Sequence, residues 1–326
     1  MYNSLSRYCS DFHLYIFAFD DAIKEKLLEM NLEHVTVISL SEFENEQLLE
    51  AKKNRSRGEY FWTCSSSSIL YVLKKYNVPS CTYIDADIFF FEDPSCLIEE
   101  MGEKDVLITS HRYSKKYAYK EMLAGRYCVQ FVTIKNTQNG LKVLNWWVDK
   151  CVEWCYNRFD LNRFGDQKYL DYWPLVFDGV HELIHEGGGI APWNADNYKY
   201  VNGQIENIHT NQRWPIIFYH FHGLKFFNNN TVFTTDYPLK KWVFNFFYKE
   251  YLQEASAVYK MLSEKYDNKV GLVPVKLYYS SFNDVKYSIK KVLLKTIDLF
   301  SLITESLQII FLYKYFQQKS KCKKFK

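Results

Sequence analysis

Apolar residues come along this chain in short bursts, separated by stretches in which they recur at helical spacing. HLYIFAFD (13–20) is a β-branched and aromatic run ending in acid, and it predicts a buried strand. DAIKEKLLEMN (21–31) follows with helical spacing, and HVTVISL (34–40) predicts a second strand. Residues 41–77 read as helical, charged at first and then apolar on one face. SCTYIDAD (80–87) predicts a third strand, PSCLIEEM (94–101) a helix and DVLITS (105–110) a fourth strand. YCVQFVTIKN (127–136) predicts a fifth strand, and GLKVLNWWVDKCVEWCY (140–156) a helix with an apolar stripe. This alternation predicts an α/β domain with a mostly parallel sheet covered by helices on both faces. In such sheets ligands bind beyond the carboxyl ends of the strands, and Asp85 and Asp87 stand at such an end.

The pattern changes near residue 230, which divides an α/β region (1–230) from a helical extension (231–326). WVFNFFYKEYLQEASAVYKMLSEKY (242–266) reads as helical. Farther on, apolar residues from Ile289 to Phe311 recur at helical spacing beside Lys290, Lys291 and Lys295. From Lys314 to Lys326 every charge is positive. An amphipathic basic helix with a lysine tail suits an anionic membrane surface, or docking on the α/β domain. No nucleic-acid partner is expected.

Composition adds little beyond this. The 326 residues suffice for a sizeable core, and 48% hydrophobic with 24% charged residues is ordinary for a folded domain. The net charge of +3 is uninformative in itself. The eight cysteines form no CxxC pair, which argues against structural zinc, and Cys151 and Cys155 are expected to pack as small hydrophobes. With no secretory signal and no long uncharged apolar run, the chain is expected to be cytoplasmic, peripheral at most to the inner face of a membrane.

The candidate chemistry begins at SCTYIDADIFFFEDP (80–94), where two carboxylates sit beside three phenylalanines. An ionised carboxylate resists desolvation unless a positive group pairs with it. A calcium loop fails on spacing, since Phe90 stands where that loop needs glycine and Cys96 where it needs glutamate. A dehalogenase-type phosphatase expects a small residue where Phe89 stands and glycine in the turn that follows. A divalent metal clamp fits better. FYHFHGLKFF (218–227) offers His220, His222 and Lys225 around a glycine, suited to a metal and an anion. In NRFGDQKYLDYW (162–173), Asp166 reads either as a helix cap or as a partner for sugar hydroxyls, with Gln167 beside it. EGGGIAPWN (186–194) has three glycines where backbone approaches something closely, then Trp193 and Asn194.

Taken in order, the apolar strand with Asp-Ala-Asp, the Gly-Asp-Gln segment, the Trp-Asn loop and the His-x-x-Gly loop resemble retaining nucleotide-sugar glycosyltransferases of the GT-A fold. The neighbourhood is that of glycosyltransferase family eight and related bacterial surface-polysaccharide transferases, over roughly residues 10–230. The resemblance implies a Rossmann-like mixed α/β sheet flanked by helices, with a C-terminal helical extension. It implies Mn²⁺ or Mg²⁺ held by Asp85, Asp87 and His220, with Asp85, Lys225, Trp193 and Asn194 at a nucleotide-sugar donor, a UDP-sugar. Asp166 and Gln167 take the family's catalytic positions, Asp166 orienting the donor sugar and Gln167 near the anomeric carbon. The implied acceptor is a glycan or a lipid-linked acceptor, with retained anomeric configuration. Two departures stand out: Lys225 lies two residues past its glycine where the family has three, and Cys128-Val129-Gln130 replaces the family's Asn-x-Gly. MYNSLSRYC reads as the end of a helix that follows a first, nucleotide-cradling strand, so a chain lacking that strand is the expectation. The alternative is a non-catalytic, membrane-peripheral scaffold derived from such a transferase.

Overall fold

Local signals set the helix boundaries in the computed structural model, which describes residues 1–227, 231–265, 310–311 and 322–324. Asp20 starts helix Asp21–Met30 by accepting from Ile23 N at 2.8 Å, and Asn31 ends it in the left-handed region. Ser56 and Glu59 form a capping box at the start of the long helix Arg57–Tyr76, which Asn77 ends in the same way. Thr137 caps helix Gln138–Glu153 through Gly140 N. The expected helical stretch 41–77 is three helices, Leu40–Phe43, Glu46–Lys52 and Arg57–Tyr76. Asn45 and Ser56 interrupt it, because each turns its side chain onto the backbone of the next segment. Of the predicted basic segment 289–311, only Ile310–Phe311 is described, and as a two-residue strand; the remainder and most of the lysine tail lie outside the described residues.

The chain divides into two compact units. The first comprises Met1–Ile190, Gly203–Ile205 and Gln212–Phe218; the second comprises Ala191–Asn202, Glu206–Asn211 and Tyr219–Lys326.

In the first unit, Leu14–Ala18 and Val35–Ser39 pair in parallel. A four-stranded sheet runs in the order Ser80–Ile84, Tyr127–Lys135, Val106–Ser110, Val180–Glu182. Tyr127–Lys135 is antiparallel to both its neighbours, and only Val106–Ser110 with Val180–Glu182 is parallel. The expectation of a mostly parallel sheet is therefore corrected to a mixed one. A two-faced apolar strand carries the same pattern in either direction, so the residues could not reveal the reversal.

The pleat divides the core. Val106 and Ile108 point to the side of helices Arg57–Tyr76 and Gln138–Glu153, where Ile69, Leu73, Val143, Leu144 and Trp147 are buried. Leu107 points the other way, to Leu97, Met101 and Leu183. Burying Trp147 and Leu144 contributes roughly 2 kcal/mol or more each relative to exposure. Leu107 pairs with Thr133 but Thr109 pairs with Cys128, so two steps along one strand answer five along the other. The surplus residues form a bulge around Val129–Val132, and bulges of this kind re-aim side chains beside functional sites.

The second unit is stacked aromatics. Tyr219 lies on Phe247 with ring centroids 4.2 Å apart, and Phe221 on Tyr251 at 4.0 Å. The predicted helix 242–266 is present as Lys241–Lys265, with a π turn at Phe244–Tyr248. A wider turn of this type suits a stretch with four aromatic rings in five residues, Phe244, Phe246, Phe247 and Tyr248.

Candidate metal and carboxylate site

Strand Ser80–Ile84 lies at the end of the four-strand order, not in a central position, and runs into the Asp-Ala-Asp turn. Asp85 N donates to Gln130 O at 3.2 Å, and Ile88 N donates back to Asp85 O at 3.3 Å. The chain then re-enters the core as Ile88–Phe90, all three residues buried. The phenylalanines thus clamp the turn from behind: Phe90 packs on Phe218 with centroids 5.9 Å apart, and Phe218 stacks on Phe131 at 5.5 Å. The carboxylates are left half-buried at the surface of this greasy anchor.

Phe218, the last residue of the first unit, opens the short buried strand Phe218–His220. One ligand atom each from Asp85, Asp87 and His220 lies within 4.8 Å of the others. Two carboxylates and one imidazole at this spacing fit a divalent cation. The sequence motif thus yields three potential ligands in one place.

Asp166 lies within the field of Asp85. It is buried, and burial first, then the charge on Asp85, pushes its carboxyl up to about 7, while a Ser65 hydroxyl works against the rise. The residue stands just before the 3-10 turn Gln167–Tyr172 but makes no side-chain cap bond to it. Its segment is pinned by Trp147 Nε1, which donates to Asp166 O at 2.9 Å, and by Gly165, which packs over Trp62. Gln167 spends its amide on Ala124 O at 2.7 Å, so that side chain anchors the segment Tyr119–Ala124.

The sequence signals did not single out Tyr83, Ser65 or Arg112. Tyr83 Oη donates to Asp85 Oδ1 at 3.1 Å and is itself pushed well up by burial and then by Asp85 and Asp166. Ser65 belongs to a run of four serines, 65–68, on a helix otherwise packed with apolar residues. Such a polar run on a buried face was the available signal. Gln130 lies fully buried within the bulge.

The three glycines of the 187–189 loop approach protein. A Cβ on Gly187 would lie 1.8 Å from Pro215 O, and one on Gly188 2.7 Å from Leu97. Gly189 has φ +99 and sits against Arg112 and Gln130. Arg112, itself at φ 49, donates to Gly188 O and holds the loop to the end of its strand. Arg55 donates to Val152 O at 3.2 Å and stacks on Tyr156. It caps a helix end.

Within the second unit, Trp193 is buried, edge-on to His220 at 5.2 Å and to the exposed His222 at 5.3 Å. It fixes the imidazoles rather than offering an open ring face. Asn194 is also buried, and its Oδ1 accepts from Ala191 N at 2.9 Å, closing the turn. Lys225 is half-buried over Phe233, 5.8 Å from its ring. Cys151 and Cys155 are buried thiols, as their spacing predicted.

The fold and site together define a mixed α/β protein with an Asp-Asp-His group fit for a divalent cation. YfnD of Bacillus subtilis (strain 168), an uncharacterized protein, is 36% identical over 226 residues, 68% of this chain and 72% of YfnD. YfnF of the same organism, likewise uncharacterized, is 30% identical over 241 residues, 71% of this chain and 78% of YfnF. The chain belongs to the family of YfnD and YfnF. No family model matches it. A crystal structure of mouse xyloside xylosyltransferase 1, apo form, is 13% identical, with a TM-score of 0.40 over 68% of this chain and 89% of that one. Among the described residues no helix is long and apolar enough to cross a membrane.

Proposed function

We propose that this protein is a metal-dependent glycosyltransferase that moves a sugar from a nucleotide sugar, a UDP-sugar, to a glycan or lipid-linked acceptor. The observation that carries the reading is the grouping of Asp85, Asp87 and His220. The order of sequence motifs supports it and implies retention of anomeric configuration. A mixed oxygen and nitrogen donor set favours Mn²⁺ over Mg²⁺, which prefers oxygen alone. Asp85, Asp87 and His220 would hold the cation, which would supply positive charge to a leaving diphosphate.

The chain's own residues complete the reading. Tyr83 holds one oxygen of Asp85 and so fixes the orientation of that carboxylate. Asp166, with its carboxyl near neutrality, suits an uncharged sugar: protonated it donates to a hydroxyl, ionised it accepts from one. Gln167 fixes the backbone that carries Asp166. Calorimetry with UDP and Mn²⁺, followed by a donor screen for released UDP, tests the proposal. UDP binding that requires Mn²⁺ and disappears in Asp85→Asn and Asp87→Asn is the expected result. Absence of UDP affinity in the presence of Mn²⁺ would defeat it.

A further inference from the structure

The first unit carries a surface that is both apolar and basic. The short helix Tyr119–Ala124 leaves Tyr119 59% and Met122 69% exposed. Its carbonyls hold it in place: Gln167 Nε2 donates to Ala124 O at 2.7 Å, and Lys168 Nζ to Glu121 O at 3.1 Å. Arg126 N donates to Asp171 Oδ1 at 2.8 Å just beyond it. These bonds set the helix beside the segment 167–176, in which Leu175 is 81% exposed. Eight of the fifteen exposed large hydrophobics among the described residues fall in 119–123, 159–161 and 172–176. Singly scattered apolar residues are normal on a protein surface, but such a concentration marks an interaction face.

Charge narrows the choice of partner. Lys115 and Lys116 are exposed on the turn leading into this helix, and Lys120 lies on it. Glu121 is the only acid between His111 and Arg126. A two-fold contact between copies sets a patch against itself and would bring these lysines together. An anionic lipid surface instead meets the lysines with phosphate and the apolar side chains with acyl chains. Because the helix is already ordered by its hydrogen bonds, binding carries little folding cost.

We propose that this face docks on an anionic lipid surface, with Tyr119, Met122, Leu123 and Leu175 entering the headgroup boundary while Lys115 and Lys116 meet lipid phosphates. The inference is independent of the reaction at the carboxylates.

The test uses the full chain with sedimenting vesicles of equal phosphatidylglycerol and phosphatidylcholine, and of phosphatidylcholine alone. Lys115→Gln with Lys116→Gln should weaken binding to the anionic vesicles about thirtyfold. Met122→Ser with Leu123→Ser should weaken it about tenfold or more. All four positions are exposed, so thermal midpoints should stay unchanged. Tyr119→Trp should shift its emission to the blue on anionic vesicles and be quenched by brominated lipid. Equal vesicle binding by parent and variants would overturn the proposal and assign any binding to another part of the chain. Self-association that the serine variants abolish, without vesicle binding by the parent, would overturn it in favour of a contact between copies.

Discussion

Asp166→Asn is expected to stabilise the protein above neutral pH when metal has been removed by a chelator. Burial, reinforced by the charge on Asp85, raises the Asp166 carboxyl from its ordinary 3.8 to about 7, against the opposing Ser65 hydroxyl. The folded state therefore prefers the protonated acid. The stability this contributes is fully present below 3.8 and is lost as pH rises through about 7. A span of about three pH units at ~1.4 kcal/mol each sets an upper limit of ~4 kcal/mol. Asparagine has the same shape and never ionises, so the variant escapes that loss. Urea unfolding across this pH range, for both proteins in chelator, measures it, and the difference between the curves cancels every other titrating group. The difference should grow in favour of the variant between about pH 4 and pH 7 and level off above that, where Asp166 is ionised in both states. Parallel curves would refute the reasoning, because they would mean that Asp166 titrates alike in the folded and unfolded chain. Added Mn²⁺ should restore wild-type stability at alkaline pH, since a cation beside Asp85 offsets the repulsion.

Three other outcomes follow from single contacts. Gly187→Ala would place a Cβ 1.8 Å from Pro215 O, so denaturant unfolding should show a loss of about 3 kcal/mol or more. Glu100 accepts from His181 Nε2 at 2.7 Å, Ile184 N at 2.7 Å and His185 N at 2.9 Å. Burial works to raise its pKa, but these donors win and hold it below the ordinary 4.5. Its contribution is present above 4.5 and lost as pH falls through the lower folded value, so Glu100→Gln should flatten the acid limb of the stability curve and cost about 2 kcal/mol at neutral pH. Thr137→Ala removes the cap of helix Gln138–Glu153 and a 2.7 Å bond to Asp105, and calorimetric melting should show a loss of about 1 kcal/mol.

How far the residues alone reached depends on the range of the interaction involved. The strands at 14–18, 35–39, 80–84, 106–110 and 127–135 were legible because apolar bursts and their breakers are local properties. Ile88–Phe90 was hidden because three buried phenyl and aliphatic residues after a turn read as packing rather than as a strand. Val180–Glu182 was hidden because three residues give no period to detect. Among the site residues, Asp85 and Asp87 stood out as acids beside apolar residues, and Asp166 as an acid after a glycine at the start of an expected helix. Their supports Tyr83 and Ser65 did not, since each is unremarkable in its own stretch of sequence.

The sequence by itself determined which segments are helix or strand, where caps divide them, and which acids and imidazoles are chemically available. Tertiary structure alone decided that strand 127–135 runs against its neighbours and bulges beside Asp85. It alone set Asp166 within the field of a carboxylate eighty-one positions earlier in the chain. Periodicity and capping act over a few residues, whereas strand direction and the charge felt by a buried acid depend on partners that only folding brings near.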